Sequence, residues 1–89
     1  MAVELEVIGL NPPCPRCEIA IGRLQVAMEK LATEGITVNY TYRYGHAPET
    51  LQKYGQLMLP AIAVNGVIKI QGSIPTDEEC EEWLRAGSK

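Results

Sequence analysis

Asn11-Pro12-Pro13-Cys14-Pro15-Arg16-Cys17 separates two different periodicities. Before it, Val3, Leu5 and Val7 alternate with Glu4, Glu6 and Ile8 up to Gly9, a period near two that suits a strand with at least one buried face. After it, Ala20, Leu24, Ala27, Met28 and Leu31 recur at helical intervals, with Glu18, Arg23, Gln25 and Lys30 largely on other faces. The spacing predicts a helix from about Pro15 to Glu34. Pro12 and Pro13 fix φ and remove two backbone donors, so the strand ends there. Pro15 suits a first helical turn, where its missing N–H has no intrahelical acceptor, and Gly35 suits the residue after the helix end. Cys14 thus falls between the end of a strand and the start of a helix.

Working outward, Ile36, Val38, Tyr40 and Tyr42 alternate with Thr37, Asn39 and Thr41, which predicts a second strand. Pro48 to Tyr54 reads as a short helix opened by proline and closed by Gly55. Ala61 to Val64 and Val67 to Ile70, joined by Asn65-Gly66, carry the signature of an antiparallel hairpin with a type I′ turn. Thr76-Asp77-Glu78-Glu79 is a capping box that opens a last helix running to about Ala86. The order β-α-β-α-β-β-α requires a crossover between the early strands and adds an antiparallel pair. The expected fold is therefore α/β, a mixed four-stranded sheet with helices on both faces, in one domain over residues 1–89.

Composition narrows the function. The chain has 89 residues, 46% hydrophobic and 21% charged, with a formal net charge of −3. Its eight Lys and Arg are dispersed, so no basic stripe is available to neutralise phosphates and nucleic acid is not expected as a partner. The N-terminus has two early acids and no cationic lead, and no apolar run reaches membrane-spanning length, so the expectation is a cytoplasmic protein without a membrane partner. Three cysteines cannot all pair internally, and in a reducing compartment they favour redox or metal chemistry over a structural framework.

A thiolate at Cys14 would face the unsatisfied N–H groups and positive end of the helix, both of which lower a thiol pKa. Cys14 is the expected nucleophile. Cys17, one turn further in, can close a disulfide with it and suits the resolving role. Arg16 adds a positive charge whose effect is screened if exposed. The same two thiols could instead hold Cu(I) or Zn(II) in a metal carrier. A structural zinc site, however, wants four ligands, and only Cys80 and His46 remain to supply them. A structural disulfide closing so small a loop would restrain the unfolded chain little. Cys80 shares a helical face with Trp83 and Leu84 and reads as a small buried hydrophobe. Tyr40 and Tyr42 read as core, and His46 as a loop residue without a role.

The combination of Cys14-Pro15-Arg16-Cys17 after a first strand, Leu59-Pro60 before Ala61-Ile62-Ala63-Val64, Asn65-Gly66, Gly72 and an acidic-capped last helix resembles thioredoxin-fold proteins over essentially the whole chain. It is most similar to the small prokaryotic thioredoxin-like, or small redox-active disulfide, proteins between thioredoxin and glutaredoxin. The resemblance implies a dithiol–disulfide oxidoreductase needing no cofactor or metal, in which Cys14 attacks, Cys17 resolves and a cis Pro60 shapes a substrate groove with Pro15, Arg16 and Leu59. Met58, Leu59 and Ile74 suit an apolar edge around Cys14, with Arg16 as the nearby cation, which is expected to favour protein disulfide substrates and a protein disulfide reductase as partners. Cys14-Pro15 is the glutaredoxin form, yet Met58-Leu59 and Gln71-Gly72-Ser73 replace the residues with which glutaredoxins hold glutathione, so glutathione is the less favoured reductant. Ile8 stands where thioredoxins commonly bury an aspartate, so the resemblance names no proton acceptor for Cys17.

Overall fold

The first alternating stretch becomes an interior strand, and the rest of the chain is arranged around it. A computed structural model describes residues 2–10 and 15–88. β1 (Ala2–Gly9) lies between β2 (Thr37–Tyr44), to which it is parallel, and β3 (Ala61–Val64), to which it is antiparallel. β4 (Val67–Gln71) completes a sheet of order β2-β1-β3-β4. α1 (Pro15–Ala32) and α2 (Pro48–Tyr54) connect successive strands, and α3 (Asp77–Gly87) follows β4.

The two faces of the sheet are covered separately. Val3, Leu5 and Val7 from β1, with Ile62 and Val64, pack against Ala20, Leu24, Ala27 and Leu31 of α1 and Cys80 and Leu84 of α3. Ile8, Ala61 and Ala63 face the other way, toward Tyr54 of α2 and the following Leu57 and Leu59. Each large aliphatic side chain removed from water in this way contributes roughly 1.5–3 kcal/mol before entropy is counted.

Element ends follow local chemistry. α1 stops at Ala32, two residues before the expected end, because the chain turns through 33–35 with Gly35 at φ +82°, and Ile36 N–H returns to Leu31 C=O at 3.1 Å. β2 starts one residue later and ends two later than its alternation suggested, since β1 offers partners up to the Gly9–Tyr44 pair. Asn65 (φ 52°) and Gly66 (φ 82°) form the hairpin turn, and a bulge at Lys69 shifts the β3–β4 register between Ile62 and Ala63. The capping box is complete: Glu79 N–H donates to Thr76 Oγ1 at 3.1 Å and Thr76 N–H to Glu79 Oε1 at 3.0 Å.

Candidate redox site

Cys14, with the break at residues 11–13, lies outside the described residues, so the site is built from its neighbours. Cys17 occupies the first turn of α1 and is fully buried. It reaches the end of β1 because residue 9 is glycine. A Cβ built on Gly9 would lie 2.8 Å from Cys17 Sγ and 2.5 Å from Tyr42 Oη, closer than any side chain tolerates. Thiol and phenol therefore flank one backbone position. The Tyr42 hydroxyl donates to the Leu10 carbonyl, tying β2 to the residue at which the chain leaves the sheet. Gly45 N–H donates to Gly9 C=O at 2.9 Å and prolongs the same pairing.

On the neighbouring side, the Leu59–Pro60 bond is cis, as the resemblance implied. The Pro60 ring is buried and its carbonyl accepts from Gly72 N–H at 2.9 Å. Leu59 is half-buried against Gly45, where a Cβ would come within 2.6 Å of Leu59 Cδ2. Met58 is 68% exposed and provides the open apolar surface of this edge. Its N–H donates to Gln71 Oε1 at 3.0 Å. Pro15 and Arg16 are exposed on the first turn of α1, and Ile74 is half-buried.

Arg16 is not a detached charge. Its Nη2 donates to the Gly72 carbonyl at 2.6 Å, so α1 is bonded to the residue whose own N–H holds Pro60. Two helical turns later, Arg23 Nη1 donates to the Pro75 carbonyl at 2.7 Å. The arginines that looked dispersed in sequence lie on one face of α1 and grip the β4–α3 connection at both ends.

The remaining candidates sit elsewhere. Cys80 is fully buried in the core that α1 and α3 share, and its thiol is pushed up to about 11 by burial and by the charge of Asp77, against a smaller opposing effect of Arg23. His46 packs edge-on against Tyr44 at 5.4 Å. The acid that the chain does bury in β1 is Glu6, which accepts from Arg43 and from Lys53 at 2.7 Å. Burial raises the Glu6 pKa, but the hydrogen bonds from Lys53 and Arg43 outweigh it and hold the carboxyl below its ordinary range. Glu6 alternates with Leu5 and Val7 along β1 and so faces away from α1, where it is matched by two cations.

The family model for the thioredoxin domain matches residues 3–85. The chain belongs to the thioredoxin family. It is 34% identical over 88 residues, spanning 94% of both chains, to a protein of Methanothermobacter thermautotrophicus described as a probable thioredoxin. The family is one of thiol–disulfide oxidoreductases, and the mixed sheet with its flanking helices is the thioredoxin fold. Among the described residues no helix is long and apolar enough to cross a membrane. Sequence reasoning left Tyr42 in the core and gave Gly9 no part. The available signal was a glycine ending a strand immediately before a break, a place where close approach of side chains calls for glycine.

Proposed function

We propose that the chain is a dithiol electron carrier acting on protein disulfides through Cys14 and Cys17. The Cys14 thiolate attacks one sulfur of a substrate disulfide, forming a mixed disulfide and expelling the other sulfur as a thiolate. Cys17, deprotonated, then attacks the Cys14 sulfur, closing the Cys14–Cys17 disulfide and releasing the second substrate thiolate. The substrate gains two electrons and two protons, and a protein disulfide reductase of the thioredoxin-reductase class returns the electrons to the carrier. The observation that carries this reading is the burial of Cys17 in the first turn of α1, against Gly9, with the Leu59–Pro60 segment joined to the same turn through Gly72.

A resolving thiol benefits from being shielded, because solution disulfides then reach Cys14 first. The apolar edge at Met58 and Leu59 suits a polypeptide more than a charged tripeptide, which wants placed donors and cations. The reductase is accordingly proposed over glutathione, and a cytoplasmic setting follows from the need to keep the pair reduced. The test is insulin reduction by the wild type and by Cys14→Ser and Cys17→Ser, driven in parallel by a thioredoxin reductase with NADPH and by glutathione at matched potential. Expected are turnover by the wild type, a trapped mixed disulfide with Cys17→Ser and none with Cys14→Ser. Faster turnover with glutathione would reverse the choice of reductant. Turnover by either serine variant at the wild-type rate would sink the mechanism.

A further inference from the structure

We propose that Arg16 is a positioning residue that fixes the substrate-docking edge relative to the redox helix and thereby sets affinity for protein disulfides. The inference rests on the function proposed above for the reaction, and on hydrogen-bond geometry for the residue itself. Three hydrogen bonds form one connected path. Arg16 Nη2 donates to Gly72 C=O at 2.6 Å, Gly72 N–H donates to Pro60 C=O at 2.9 Å, and Gln71 Oε1 receives Met58 N–H at 3.0 Å. The docking segment Met58-Leu59-Pro60 is thus hung from residues 71 and 72, and residue 72 is held by a residue that lies between the two cysteines.

Local backbone chemistry explains why the path runs through residue 72. Gly72 adopts φ +76°, a left-handed conformation open to glycine, and a Cβ there would press to 3.2 Å against Met58 Cβ and Cε. The carbonyl that Arg16 reaches is fixed in direction by that conformation. The guanidinium suits the bond because it is charged at all working pH and presents several donors in a rigid fork, so one N–H can serve Gly72 while others stay exposed. Arg23, bonded to Pro75, anchors the other end of the same connection, so losing Arg16 frees only the end at Gly72.

This arrangement predicts a division between binding and chemistry. Without Arg16 the edge keeps its residues but loses its fixed position relative to the first turn of α1, so a protein disulfide that must meet both incurs an ordering cost on binding. The chemical step, set by the thiols, is less affected.

The experiment compares the wild type with Arg16→Ala and Arg16→Lys, with two readouts. In insulin reduction, Arg16→Ala should raise KM about tenfold, the loss expected for one charge-assisted hydrogen bond, with kcat within about twofold of wild type. Arg16→Lys, which keeps one charged donor, should recover part of that loss. Independently of activity, the Gly72 amide should exchange with solvent about tenfold faster in Arg16→Ala, while the Glu79 amide at the α3 cap stays at its wild-type rate. An unchanged Gly72 amide, or a fall in kcat without a rise in KM, overturns the proposal. If the wild type fails to reduce insulin, the reading of the reaction has failed, and the amide measurement still decides whether Arg16 holds the segment.

Discussion

Cys17 and Cys80 are both fully buried, both on helices that cover the same face of the sheet, and otherwise unlike. Cys17 sits at a junction, where the end of β1, the first turn of α1 and the Tyr42 hydroxyl meet over a glycine, one residue from an exposed arginine that bonds to Gly72. Cys80 sits inside one packing layer, among Leu24, Leu84 and their neighbours, with acidic residues on its own helix. The first thiol is covered by several elements that meet at the site; the second is covered by a single core layer. If Cys17 resolves the mixed disulfide as proposed, burial by itself does not sort a reactive thiol from an inert one. On that proposal the two differ in whether the covering groups belong to one packing layer or to several elements that meet at the site.

The largest effect that can break this contrast is on turnover. Cys17→Ser should lower steady-state insulin reduction by about a hundredfold or more, because the mixed disulfide is no longer resolved from within, while Cys80→Ala should leave it within about twofold. Comparable losses in both would mean that Cys80 takes part in exchange. Next comes Gly9→Ala, whose added methyl must displace Cys17 Sγ or the Tyr42 hydroxyl. Urea unfolding should show a loss of about 2–3 kcal/mol, and Cys17 should alkylate faster in the native protein. A variant as stable as wild type would show that the junction is looser than its geometry.

A control on the opposite face sharpens the contrast. Replacing Glu6 with Gln leaves Arg43 and Lys53 without their shared carboxylate and should cost about 2 kcal/mol near neutral pH, with turnover unaffected. Because the folded pKa of Glu6 is lowered, its stabilisation is present above the unfolded value of about 4.3 and is lost as pH falls through the lower folded value. Glu6→Gln should flatten that acid limb in denaturant titrations. The smallest effect belongs to Cys80. Its folded pKa is raised to about 11, so the unfolded thiol ionises first as pH rises from its ordinary 9. Stability should decline across that interval in the wild type and less steeply in Cys80→Ala, which itself costs about 1–2 kcal/mol through the void it leaves. Parallel alkaline slopes would contradict a thiol held protonated by the core.

Much of this was readable from local pattern. Period two in Val3–Gly9 and period 3.6 in Ala20–Leu31, the Asn65-Gly66 turn and the Thr76–Glu79 box each act within a few residues, so the strands, helices and their faces followed from the sequence. The Leu59–Pro60 isomer came from resemblance. What stayed hidden depends on register between distant segments. Tyr42 meets Leu10 only because β2 pairs in parallel with β1 over its whole length, and Arg43 meets Glu6 for the same reason. Arg16 finds Gly72 across fifty-six positions. A charge in a Cys-x-x-Cys reads naturally as a modifier of the thiolate, and only the closed fold shows its guanidinium engaged with a carbonyl.

The Asn65-Gly66 turn carries a consequence for chemical ageing. An asparagine followed by glycine is the arrangement most open to cyclisation, since little hinders the next backbone nitrogen from attacking the side-chain amide. Here that amide is engaged at both ends: Oδ1 accepts from Glu4 N–H at 3.0 Å and Nδ2 donates to Gly87 C=O at 2.8 Å. Cyclisation has to break both bonds, so the folded chain protects a bond that the unfolded chain leaves exposed. Conversion to aspartate would set a carboxylate oxygen against the Gly87 carbonyl and loosen the end of α3 from the hairpin. Deamidation at this one position thus keeps a record of how long the molecule has spent unfolded.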